Sequence, residues 1–208
     1  MLFMTLIDSI FFLMEIGLYF GSFNPIHVGH LVIANYLLEF SPIDELWFVV
    51  SPQNPLKEKK TLLDDYQRLH MVELAIEDIP HLRASSVEFK LPQPSYTVNT
   101  LAHLEAQYPQ HTFSLIMGGD NIQSFSKWKN YQKIMENYTI YVYQRPGYSI
   151  PEEFQNKQNI RAIQAPLMEI SSSFIRQCIK DGKNVQGFMP QAAWKYLDEM
   201  NFYKSTAH

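Results

Sequence analysis

Apolar residues in this chain fall into short solid runs, separated by longer stretches in which they recur every three or four positions. Short apolar runs without helical spacing read as buried strands. They are Ile16–Phe20, Glu45–Ser51, Leu82–Phe89, Thr112–Met117, Tyr138–Tyr143 and Ile160–Ala165. Helical spacing begins near Val28 (Leu31, Ile33, Ala34, Leu37, Leu38) and returns over Asp64–Ile76 and over Thr97–Gln107, where Thr97 or Ser95 is the expected cap. Two short helices are expected at Asn121–Ser126 and Tyr131–Glu136, and closing helices at Ser172–Lys180 and Gln191–Met200. Residues 148–158 are polar and read as loop.

Strands alternating with helices predict an α/β fold. The expectation is a doubly wound, mostly parallel Rossmann-like sheet with a C-terminal helical region. No repeat or linker divides the sequence, so residues 14–208 are expected to form a single domain. The apolar segment Met1–Met14 carries Asp8, lacks a basic leader and a small-residue cleavage site, and is too short to span a bilayer. Residues 1–13 are therefore expected to be an extension, with the natural start at Met14.

Composition adds little to this picture. Of 208 residues, 46% are hydrophobic and 18% charged, as in an ordinary globular protein, and a net charge of −4 does not advertise nucleic acid or an anionic membrane as partner. The lone cysteine, Cys178, cannot form an intramolecular disulfide and fits a reducing, cytoplasmic setting. Small-molecule substrates are the expected partners, with a homo-oligomer as an open option.

The chemistry concentrates where the first strand ends. Gly21-Ser22-Phe23-Asn24-Pro25 breaks the apolar run, and His27 and His30 fall on one side of the first turn of the helix that follows. A strand, a turn of small residues and a helix start aim backbone N–H groups and a positive dipole end at an anion, and a neutral imidazole can donate to phosphate. Zinc proteases instead space two histidines at i, i+4 around a glutamate, and no metal site is expected here. A second anion site is expected at Ile170-Ser171-Ser172-Ser173, just before a helix that carries Arg176 one turn in.

Together G-S-F-N-P-I-H-V-G-H and I-S-S-S-F-I-R resemble the signatures of the HxGH nucleotidyltransferase superfamily, and in particular the bacterial nicotinate mononucleotide adenylyltransferases. The resemblance runs from Met14 onward and includes P-S-Y-T-V-N-T-L (Pro94–Leu101) and I-M-G-G-D-N (Ile116–Asn121) followed by Trp128. Ser22 and Asn24 stand where many members have Thr and Asp, and Ser173 where Thr is common.

The resemblance implies transfer of the adenylyl group of ATP to nicotinate mononucleotide, giving deamido-NAD and pyrophosphate, with Mg2+ held mainly by the phosphates. It implies His27, His30 and Arg176 as catalytic residues. Gly21, Ser22, Phe23, Asn24, Lys57, Gly119, Asp120, Ile170, Ser171 and Ser172 would bind ATP, and Tyr96, Thr97 and Trp128 the acceptor. Lys57 reads equally well as one lysine of a solvated cluster. Phosphopantetheine adenylyltransferase or another HxGH transferase, and a non-catalytic nucleotide-binding module, are the alternatives.

Overall fold

The computed structural model describes residues 13–52 and 62–205. Strands β1 (Glu15–Gly21), β2 (Glu45–Val50), β3 (Leu82–Ser85), β4 (Thr112–Gly118), β5 (Thr139–Tyr143) and β6 (Ile160–Ile163) form one sheet in the order β3-β2-β1-β4-β5-β6, every pair parallel. Along each central strand the side chains alternate between two apolar layers. Tyr19, Phe48, Val50, Ile116, Tyr141 and Tyr143 join one core, while Leu18, Trp47, Val49, Leu115, Met117 and Val142 join the other. A sheet that is apolar on both faces needs helices on both, which is why these strands read as solid runs rather than as polar-apolar alternation.

On the first face lie α1 (Val28–Phe40), α2 (Asp65–Ile76), α7 (Ser172–Lys180) and α8 (Gln191–Glu199), with α8 packed on α2. On the second lie α3 (Thr97–Gln107) and α5 (Tyr131–Asn137), beside the short helices α4 (Gly119–Ile122) and α6 (Glu152–Gln155). The expected doubly wound architecture is therefore present. Strand order reverses between β1 and β4, so a crevice opens outside their carboxyl ends. No helix among the described residues is long and apolar enough to cross a membrane.

Several local expectations are corrected. The third strand ends at Ser85, and Val87–Lys90 form a 3-10 turn. The cause is Glu88, which is turned inward and buried and accepts a hydrogen bond from the Thr100 hydroxyl at 2.8 Å. Residues 148–158 are not all loop, because α6 forms there and buries Phe154. The helix expected over Asn121–Ser126 is split into α4 and a 3-10 turn, Phe125–Lys127. Neither Ser95 nor Thr97 caps α3: the N-cap is Tyr96, with no side-chain cap bond, and Thr97 is the first helical residue. Residues 1–12 and Lys57 lie outside the described residues.

Candidate active site

The loop Gly21–Ile26 is held by its carbonyls. The Ser51 N–H donates to Gly21 O at 2.9 Å, and the Arg68 guanidinium to Ser22 O at 2.6 Å. Arg176 Nη1 donates to Asn24 O at 2.7 Å, and the Ser172 hydroxyl to Pro25 O at 2.8 Å. Because a trans peptide places its N–H opposite its C=O, anchoring the carbonyls of Gly21 and Ser22 turns the N–H groups of Ser22 and Phe23 away from the framework. That is the arrangement an anion requires. The two expected anion sites are thus bonded to each other directly, Arg176 and Ser172 from α7 to Asn24 and Pro25.

His27 is the N-cap of α1, and both imidazoles are buried. Their ring centroids are 3.8 Å apart with the planes tilted by 30°. The main-chain N–H of His27 donates to His30 Nδ1 at 3.2 Å, so His30 carries its proton on Nε2. Burial, the neighbouring His27 and Arg145 hold the pKa of His30 well below its ordinary value. Burial and then Arg145 lower that of His27 to about 4. Both rings are consequently neutral near pH 7, as donors to phosphate that carry no charge of their own. The spacing of H-V-G-H has a steric reason as well. A β-carbon on Gly29 would stand 3.1 Å from Cε1 and Nδ1 of His27, so a larger residue would press on that ring and shift it by a few tenths of an ångström.

A cavity of 310 Å³ collects these groups: His27, Gly29 and His30 from α1, Ile170 and Ser171 from the second motif, and Tyr143 and Arg145 from the end of β5. Ser171 caps α7, its hydroxyl accepting from the Phe174 N–H at 3.1 Å. A neighbouring cavity of 450 Å³ is lined by Gly119 and shares Tyr143 and Arg145 with the first. Asp120, next to Gly119, has its Oδ1 3.5 Å from Arg145 Nε and without a hydrogen-bond partner among the described residues. Of the expected ATP-binding residues, Gly119, Ile170 and Ser171 line these cavities, while Gly21–Asn24, Asp120 and Ser172 lie at the same end of the sheet without lining them.

The expected acceptor residues line neither cavity. Tyr96 begins α3, with the ammonium of Lys129 lying 4.5 Å over its ring. Trp128, the residue before that lysine, is half-buried edge-on against Phe125 with centroids 5.5 Å apart. Tyr96 thus meets the segment that carries Trp128, and Trp128 packs on the face of the sheet opposite the one that α1 covers.

Two arginines escaped the reading of the sequence. Arg145 follows β5 in an Arg-Pro-Gly turn, and its place at a carboxyl strand end was signal enough to include it. Arg68 sits mid-helix in α2 and is completely buried. It donates to Ser22 O, to Ser51 O at 2.9 Å and to Leu63 O at 3.0 Å, and pairs with Asp65. Nothing local distinguishes it from a solvent-facing arginine.

A parallel sheet with an anion loop on its first crossover, two neutral histidines and a serine-arginine helix start defines a nucleotidyl-transferring fold. Residues 18–178 match the cytidylyltransferase-like family model. A Flavobacterium psychrophilum protein described as a probable nicotinate-nucleotide adenylyltransferase is 60% identical over 192 residues, covering 92% of this chain and 100% of that protein. A Cytophaga hutchinsonii protein of the same description is 45% identical over 192 residues, with the same coverage. The chain belongs to the nicotinate-nucleotide adenylyltransferase family within the cytidylyltransferase-like class. In fold it is similar to the Plasmodium falciparum nicotinic acid mononucleotide adenylyltransferase complexed with NaAD, with a TM-score of 0.77 at 20% identity over 91% of this chain and 97% of that one.

Proposed function

We propose that this protein joins ATP to nicotinate mononucleotide, releasing pyrophosphate and giving deamido-NAD. A phosphate oxygen of the mononucleotide bonds to the α-phosphorus of ATP as the bond from that phosphorus to the bridging oxygen breaks, and pyrophosphate leaves with the electron pair. The attacking oxygen is already anionic, so no side-chain nucleophile is needed and catalysis is positioning plus charge stabilisation. The observation that carries this reading is the direct bonding of Arg176 and Ser172 to the loop that precedes two buried, neutral histidines.

His30, with Nε2–H as donor, meets charge developing at the α-phosphate, and His27 assists. Arg176, with Ser171 and Ser172, takes the β- and γ-phosphates, and Arg145 adds a guanidinium across the cavity. Asp120 accepts from the ribose hydroxyls. The first N–H groups of α3, which no side chain caps, suit the nicotinate carboxylate, and Trp128 offers a face to the pyridine ring. Magnesium arrives on ATP, with phosphates and water as its main ligands. Among the described residues no cluster of three His, Cys, Asp or Glu could hold it alone.

The test is pyrophosphate release from ATP and magnesium with nicotinate mononucleotide or its amide. Faster turnover with the acid is expected. Faster turnover with the amide would overturn the assignment of α3, and no turnover with either would overturn the reaction.

A further inference from the structure

We propose that Tyr203, in the turn after α8, is a positioning residue for the ATP-phosphate loop and acts through Asn24. Its hydroxyl donates to Asn24 Oδ1 at 2.5 Å. The same oxygen accepts from the Leu63 N–H at 3.3 Å, while the Asn24 carbonyl accepts from Arg176. Asn24 is 3% exposed, so its side-chain orientation is decided by these partners rather than by water. One residue therefore gathers the phosphate loop, the chain entering α2, the arginine of the second motif and the turn after α8.

The turn is built to present that hydroxyl. Asn201 and Tyr203 have φ of 54° and 62°, a left-handed conformation that residues with a β-carbon seldom adopt and that persists only where the surroundings fix it. Phe202, between them, is buried against Tyr196 with ring centroids 5.5 Å apart. Beyond Tyr203, the Lys204 ammonium pairs with Asp198 at 2.8 Å and the Ser205 hydroxyl donates to Lys180 O at 3.0 Å, at the end of α7. Burial also keeps the phenol protonated, against the pull of Arg176 and Arg68, and so available as a donor.

The loop it holds is one that needs holding. Phe23, immediately before Asn24, has φ of 42°. Without the phenol, Asn24 Oδ1 loses the 2.5 Å bond that ties it to the turn after α8. The Asn24–Pro25 end of the loop, whose carbonyls accept from Arg176 and Ser172, is then placed less firmly against the second motif. The consequence falls on ATP and not on the acceptor, whose expected residues lie at the start of α3 and just before α5.

The inference rests on the proposed function, and its test is read first on ATP binding, which needs no acceptor. Calorimetric titration of the full chain with a magnesium complex of a non-hydrolysable ATP analogue is expected to show Tyr203→Phe weakening binding about tenfold, the scale of one buried hydrogen bond. In steady state the KM for ATP should rise by a similar factor while the KM for nicotinate mononucleotide stays within about twofold. Lys195→Ala, which removes an exposed pair along α8, is the control and should match the parent. Asn24→Ala should weaken ATP binding at least as much, and adding Tyr203→Phe to it should change nothing further.

Unchanged ATP affinity in Tyr203→Phe, or additive losses in the double variant, would overturn the proposal. Should Tyr203→Phe melt well below the parent, the cycle in the Asn24→Ala background still decides by additivity. A parent protein that binds ATP but turns over no nicotinate mononucleotide would overturn the proposed acceptor and leave the Tyr203 test standing. A parent that binds no ATP would overturn both.

Discussion

The main-chain N–H of His27 donates to the ring of His30, and the two imidazoles then lie face to face at 3.8 Å. One bond fixes which nitrogen of His30 is protonated, and the stacking removes both rings from water. Each imidazole is neutral in the folded protein at pH values where it would be half-charged in an unfolded chain. Proton NMR across pH 4–8 should therefore show neither ring titrating near 6.5, with His27 changing only near pH 4.

The same shift makes stability depend on pH with a definite sign. The folded pKa values are lower than the unfolded ones, so below about pH 6.5 the unfolded chain binds more protons than the native one. Stability is fully present above that pH and declines as pH falls toward the folded value of His27, about 4. Thermal melts of the parent should move down over that interval. In His27→Asn the decline should be shallower, and an identical slope would show that His27 does not contribute.

His30→Ala removes the donor that the proposed mechanism assigns to the α-phosphate. Turnover should fall by about 10²–10³-fold, the loss typical of one preorganised donor, with binding of an ATP analogue retained. Near-parental turnover would remove His30 from the mechanism.

Gly118→Ala tests the packing of β4 against the nucleotide. An added β-carbon would lie 2.5 Å from Asp120 Oδ1 and 2.9 Å from the Tyr143 hydroxyl, so both must move. Displacements on that scale cost roughly 10–100-fold where catalysis depends on placement. The loss should appear in kcat/KM for ATP, and unaltered kinetics would show that Asp120 plays no part in holding the ribose.

Arg68→Met should destabilise the protein by about 2–4 kcal/mol, since it strands several buried carbonyls at once. Urea unfolding measures this directly. Arg68→Lys should not restore stability, because one ammonium cannot reach Ser22, Ser51 and Leu63 together. A fully stable lysine variant would contradict that geometry.

The strands and both anion motifs were legible because their signals are local: solid apolar runs, turn residues, and a hydroxyl-rich helix start. Legibility fails where a long-range contact decides. Val87 and Phe89 continue the pattern of β3, but the carboxylate of Glu88 finds the hydroxyl of Thr100 and the strand stops at Ser85. Arg68 looks like any charged residue of an amphipathic helix until the fold brings Ser22 and Ser51 to it. Tyr203 is equally silent, since its partner Asn24 lies 179 positions away.

Those distances bear on how the protein is made. Three bonds that hold Asn24 and Pro25 come from residues 147, 152 and 179 positions later in the chain. Domains begin to fold during synthesis, N-terminal parts first, and contacts distant in sequence form last. A ribosome that has produced β1 to β6 has laid down the whole sheet while the loop proposed to hold phosphate still lacks these three partners. The loop is then completed late in translation, and a product broken off before Ser172 lacks all three of these bonds.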